Sequence, residues 1–146
     1  HQEFTRFFQE ELFPLVESHY RADPGDRALF GFSSAGFFTV HMLFSQPGMF
    51  RRYVAASCTW PGADEFFLER AAQYAQQLNH PITDLYLAVG SHDEGQLPGF
   101  RRLVEMLGSE PFSNLRLNSQ VLEGEGHTAG MISKTFLAGM KAVFST

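Results

Sequence analysis

Three residues in this chain are of types that, brought together, could perform acyl transfer. Ser33 stands in Gly31-Phe32-Ser33-Ser34-Ala35-Gly36, Asp93 in Val89-Gly90-Ser91-His92-Asp93-Glu94, and His127 in Glu123-Gly124-Glu125-Gly126-His127. A serine hydroxyl is a poor nucleophile at neutral pH. It needs a base within reach, usually an imidazole oriented by a carboxylate, and it must stand clear of its neighbours. A Gly-x-Ser-x-Ala-Gly turn between an apolar run and helix-patterned residues meets the second need. Gly31 and Ala35 flank the turn where a larger side chain would collide, and Gly36 lets the helix lie close to the strand.

The elements that would position these residues alternate along the chain. Phe4, Phe7, Phe8, Leu12, Leu15, Val16 and Tyr20 recur at helical spacing, which predicts an amphipathic first helix, bent near Pro14 and ended by Asp23-Pro24-Gly25-Asp26. A strand near 28–31, the serine turn and a helix over about 34–44 follow, stopped by Gln46-Pro47-Gly48. A second strand is expected near 53–57. A helix capped by Asp64 then carries Phe66, Phe67, Ala71, Tyr74 and Leu78. Residues 85–89 form a third strand, a helix carries Leu103, Val104, Met106 and Leu107, a fourth strand runs from the Asn114 region to Leu122, and a last helix spans about 131–144.

Strands alternating with helices of this length predict an α/β fold with about four parallel strands flanked by helices on both faces. Ligands in such sheets bind beyond the carboxyl ends of the strands. Ser33 follows the first strand, Asp93 the third and His127 the fourth, so all three fall on one edge.

Each candidate has a competitor. Ser33 also reads as the N-cap of the following helix, a role that would leave Gly31, Ala35 and Gly36 unexplained. His92 is a rival base inside the acid loop, but no later strand end would then deliver its carboxylate. Glu94 is the alternative to Asp93 as the acid. His19, His41 and His80 sit within or beside helices and read as capping or surface residues, and His1 is terminal. Trp60, just past the second strand, reads as a packing residue or as the wall of an acyl pocket.

Composition narrows the field. The 146 residues, read as one domain over 1–146, carry 11 basic and 16 acidic side chains for a net charge of −5, which disfavours binding to nucleic acid or anionic lipid. No apolar run approaches the ~20 residues of a membrane span. The single cysteine, Cys58, lies among apolar neighbours and reads as a buried, inert thiol. Gly124-Glu125-Gly126-His127-Thr128-Ala129-Gly130 lacks the acidic residue of a dinucleotide site. There is no His-Glu-x-x-His, no paired cysteine–histidine cluster and no phosphate-loop lysine, so neither a metal nor a cofactor is expected.

On these segments, together with Gln46-Pro47-Gly48-Met49-Phe50-Arg51-Arg52-Tyr53-Val54-Ala55-Ala56-Ser57 and Leu85-Tyr86-Leu87-Ala88-Val89-Gly90, the chain resembles the esterase D-like, siderophore-esterase-like and feruloyl-esterase-like branch of the α/β-hydrolases. The order Ser, Asp, His is the order of that superfamily. The resemblance implies Ser33 as nucleophile, Asp93 as orienting acid, His127 as base and the Ser34 backbone N–H as one oxyanion donor. It implies a serine esterase acting on a small-molecule carboxylic ester through an acyl-enzyme, with activity falling as pH drops through ~6.5, the ordinary range of histidine. An acyltransferase on the same scaffold and a non-catalytic binding or assembly fragment are the alternatives.

The resembling segments correspond to the second half of the family fold. The strands expected upstream, and the loop that gives the second oxyanion N–H, have no counterpart here. One such donor is worth about 2.7–4 kcal/mol in the transition state. The first strand is therefore expected to need cover on its open edge, from an absent N-terminal segment or from a second copy of the chain.

Overall fold

The computed structural model describes residues 2–76, 81–109, 112 and 114–145. Its centre is one sheet of four strands, β1 (Ala28–Phe32), β2 (Arg52–Ala56), β3 (Thr83–Gly90) and β4 (Leu115–Leu122), in the order β1-β2-β3-β4 with every pair parallel. The expected α/β architecture is what the chain adopts. β2 and β3 are buried along their whole length, as befits strands covered on both faces.

The period-two alternation divides the interior into two cores. Tyr53, Ala55, Leu85, Leu87 and Val89 face the larger one, where the crossover helices α3 (Ser34–Ser45), α4 (Ala63–Ala75) and α5 (Leu97–Leu107) bury Val40, Leu43, Phe67 and Leu103. Val54, Ala56, Tyr86 and Ala88 point the other way, onto α6 (Ala129–Phe144) through Met131 and Val143. Gly139 lets α6 approach β2, since a Cβ there would lie 2.3 Å from Val54 Cγ1.

The N-terminal segment is helical, as its periodicity predicts, but not uniformly so. Between α1 (Gln2–Phe7) and α2 (Phe13–His19) the residues Phe8–Leu12 form a π-helical stretch, closed by the Phe13 N–H donating to the Phe8 carbonyl. Pro14, which has no N–H to give, follows directly. Of the apolar stripe only Phe8 is buried, while Phe4, Phe7, Leu15 and Tyr20 are exposed. Phe8 and Phe13 pack on Phe50 at centroid distances of 5.5 and 5.6 Å.

The start of α4 differs from the expectation. Asp64 is the second residue of the helix, and Gly62 holds the cap position at φ +89°, a left-handed conformation that glycine adopts at little cost. The turn Trp60-Pro61-Gly62 therefore delivers the chain straight into the helix, with the Ala63 N–H donating to the Trp60 carbonyl at 2.9 Å. His80 and His1 lie outside the described residues.

A charged cluster ties the amino ends of the strands together. Buried Arg52, the first residue of β2, donates to Asp26 at 2.6 and 3.1 Å, to Asp84 on β3 at 3.2 Å and to the Val143 carbonyl near the end of α6, with its guanidinium 4.4 Å from the centroid of the Phe144 ring. Arg116 on β4 reaches the same Asp84 at 3.1 Å. Replacing Arg52 breaks four elements' connections at once and leaves buried acceptors. Arg52→Leu is expected to cost about 3 kcal/mol in urea unfolding, the lower end of the range for a broken buried pair because Arg116 still faces Asp84. Arg116→Leu, at a half-exposed position, is expected to cost under about 1 kcal/mol in the same measurement.

Candidate active site

The carboxyl ends of β1, β3 and β4 bring Ser33, Asp93 and His127 together. The Ser33 Oγ lies 3.0 Å from His127 Nε2, and His127 Nδ1 lies 3.0 Å from Asp93 Oδ2. Of the two carboxylates in the acid loop, Asp93 is buried and faces the imidazole, whereas Glu94 is exposed. The rival base His92 is exposed as well, and its backbone N–H donates to the Glu125 carbonyl at 2.8 Å.

Ser33 occupies the N-cap position of α3, yet its hydroxyl makes no capping bond. Its backbone sits at φ +58° and ψ −123°, a region that non-glycine residues rarely enter. That conformation lifts the hydroxyl out of the turn and toward His127. It is held from both sides: the Ser33 N–H donates to the Ala56 carbonyl of β2, and the Ser33 carbonyl accepts the Phe37 N–H, each at 2.9 Å. Gly31 and Gly36 make the turn possible. A Cβ on Gly31 would lie 2.1 Å from the Ala35 carbonyl oxygen, and one on Gly36 would lie 2.7 Å from that of Ala56. Ser34 opens α3, so its N–H belongs to the first turn, where helix donors have no intrahelical partner.

The loop bearing His127 is strapped to its neighbours. The Ser91 Oγ accepts the Gly124 N–H at 2.9 Å, Lys134 of α6 pairs with Glu125, and the Phe32 ring lies 4.9 Å from the imidazole. Gly90 permits the close crossing of the two loops, for a Cβ there would fall 2.2 Å from the Glu125 carbonyl oxygen.

Trp60 stacks on Phe37 at 4.9 Å, one helical turn beyond Ser33, and stays partly exposed, so it packs on one face. Cys58 is buried, and burial pushes its thiol up to about 12, which leaves it un-ionised and inert as its neighbours suggested. His19 caps α2, its Nδ1 within 3.0 Å of the Leu15 carbonyl, and His41 lies half-buried in α3 with its pKa lowered by desolvation. Among the described residues no group of three His, Cys, Asp or Glu is placed to hold a metal ion. The same residues include no helix long and apolar enough to cross a membrane.

Sequence reasoning overlooked Gln96. It lies three positions past Asp93, is buried, and brings its Nε2 to 3.0 Å from His127 Nδ1. No motif marks it, because its other partner, Thr59, is 37 residues away in the chain.

The family model described as "Putative esterase" matches residues 1–108. The chain belongs to that family. It is 29% identical over 131 residues to the ferri-bacillibactin esterase BesA of Bacillus subtilis, an alignment covering 85% of this chain and 45% of the relative. It is 35% identical over 101 residues to the siderophore enterobactin esterase of Emericella nidulans, covering 63% of this chain and 32% of that one. Among solved structures, the BES protein from Bacillus cereus superposes with a TM-score of 0.87 at 28% identity, over 97% of this chain and 55% of that one. The chain thus spans less than half the length of these curated relatives, with the α/β-hydrolase fold they share.

The elbow's tolerance can be measured. Gly31→Ala is expected to lower thermal-unfolding stability by about 1–3 kcal/mol, the usual cost of overpacking. Gly95→Ala, where an added Cβ meets nothing within 4 Å, is expected to stay within about 0.5 kcal/mol.

Proposed function

We propose that this chain carries the nucleophile, base and acid of a serine esterase: Ser33, His127 and Asp93. The observation that carries this reading is the unbroken line from Ser33 Oγ to His127 Nε2 and from Nδ1 to Asp93 Oδ2, 3.0 Å at each step. Family membership supports the reaction class.

In the proposed sequence, His127 takes the proton of Ser33 as Oγ attacks the ester carbonyl, and Asp93 holds the imidazolium that forms. The Ser34 N–H donates to the developing oxyanion. Collapse of the tetrahedral intermediate breaks the C–O bond, and His127 returns its proton to the leaving alcohol. Water, deprotonated by the same imidazole, then releases the acyl group and restores Ser33. The relatives are named as esterases of ferri-bacillibactin and of the siderophore enterobactin, which makes a siderophore ester the substrate class to test first. The Trp60–Phe37 pair offers an aromatic surface beside the elbow for such a substrate.

We propose further that the open edge of β1 is covered in the full-length protein by a preceding strand, which also brings the loop with the second oxyanion donor. Among the described residues β1 pairs with β2 alone, and Phe30 packs on exposed Phe136 of α6. Ile132, one helical turn before Phe136, is exposed as well.

A fluorophosphonate probe is expected to label the full-length protein at Ser33, with Ser33→Ala abolishing both labelling and ester turnover. Turnover by a folded Ser33→Ala protein at the native rate would overturn the assignment. Residues 1–146 alone are expected to hydrolyse the same ester about 10²–10³-fold more slowly than the full-length protein, the usual effect of losing one oxyanion donor. Equal rates would show that the edge needs no such cover.

A further inference from the structure

The acid loop aims a second polar side chain at the imidazole. Gln96 is 7% exposed, and both ends of its amide are engaged. Its Oε1 accepts the Thr59 backbone N–H at 3.0 Å, while its own backbone carbonyl accepts the Thr59 hydroxyl at 2.8 Å. Thr59 is itself buried. Because the carbonyl end of the amide answers an N–H donor, the NH2 end is the one that faces His127, with Nε2 3.0 Å from Nδ1.

Nδ1 therefore confronts an acceptor and a donor at the same distance, Asp93 Oδ2 at 3.0 Å and Gln96 Nε2 at 3.0 Å. A ring nitrogen of neutral histidine carries either a hydrogen or a lone pair, so it satisfies one of them. With the hydrogen on Nδ1, the ring donates to Asp93 and keeps a lone pair on Nε2, facing Ser33. With the lone pair on Nδ1, it accepts from Gln96, and the hydrogen moves to Nε2. That second tautomer cannot take a proton from Ser33.

We propose that Gln96 is a positioning residue for His127, one that acts on the ring's tautomer by competing with Asp93 for Nδ1 on the side away from Ser33. The carboxylate prevails because a charged acceptor outweighs a neutral donor at one site. On this account Asp93, as the acid of a triad does, holds the ring in the base-competent tautomer, here against a neighbour that favours the other. The proposal rests on the reading of His127 as the base of Ser33, but the ring's tautomer can be read without turnover.

Nitrogen-15 spectra of the histidine rings in the full-length protein, above the range where imidazole protonates, give the tautomer directly. The native ring is expected to carry its hydrogen mainly on Nδ1, and Asp93→Ala to move it to Nε2. In Asp93→Ala/Gln96→Glu, a carboxylate replaces the amide while keeping the bond to Thr59, and the hydrogen is expected back on Nδ1. Asp93→Ala is expected to lower kcat by about 10⁴, with the second substitution restoring at least tenfold at unchanged KM. A double variant whose ring stays in the Nε2–H form overturns the proposal. A ring that returns to Nδ1–H without recovered turnover supports it and counts instead against the catalytic reading. If the double variant does not fold, Gln96→Met in the otherwise native protein decides: removing the competing donor should lower the Nε2–H fraction below the native value, and an unchanged fraction overturns the proposal.

Discussion

The arrangement depends on one strained residue. Ser33 at φ +58° occupies backbone space that costs on the order of 1–3 kcal/mol for a residue with a Cβ, so the structure around it must impose that conformation. It does so through backbone contacts alone. The β2 carbonyl of Ala56 anchors the Ser33 N–H, the first turn of α3 takes the Ser33 carbonyl, and the missing side chains of Gly31 and Gly36 let strand and helix close on each other. None of these contacts uses the hydroxyl. The strain thus presents Oγ to the imidazole without a local partner to compete for it.

Because the sheet is parallel, the loops that meet at its carboxyl edge come from distant parts of the chain, and each must be tied to the next. The acid loop grips the loop after β2 through the paired bonds between Gln96 and Thr59. The base loop grips the acid loop through Ser91, His92 and the close approach at Gly90. At the opposite end of the strands Arg52 and Asp84 perform the same office with charge, joining β2, β3 and the end of α6. A sheet clamped at its amino ends leaves little freedom for the three loops to drift apart at the other, which is the condition under which 3.0 Å contacts among loops persist.

What the sequence disclosed and what it withheld follow from range. The serine turn was legible because its constraints are local: Gly31, Ala35 and Gly36 lie within three residues of Ser33. The parallel sheet was legible because alternating apolar runs and helical stretches imply crossovers that return each strand in the same direction. The cap of α4 was misplaced at Asp64 because side-chain preference pointed there, whereas the left-handed backbone of Gly62 had already turned the chain. The π-helical stretch before Pro14 was beyond periodicity, which registers that a proline interrupts a helix but not how the preceding turn adjusts. Gln96 was invisible for the simplest reason. Its meaning lies in Thr59 and His127, 37 and 31 positions away, and nothing in its immediate neighbourhood differs from an ordinary loop glutamine.

The same logic bears on the uncovered surface. In a sheet flanked on both faces, apolar residues are paired with a layer, and the interior of this one obeys that rule: Val54, Tyr86 and Met131 are buried to within 2%. The rule lapses beside β1, which has one neighbouring strand among the described residues and next to which α6 shows Ile132 and Phe136 to solvent at 39% and 40% exposure. Scattered exposed apolar residues need no explanation, but Ile132 and Phe136, one helical turn apart beside an open strand edge, are what a covering segment would bury. Because this flank adjoins the strand leading into Ser33, the proposed cover of β1 would stand beside the strand that carries the hydroxyl.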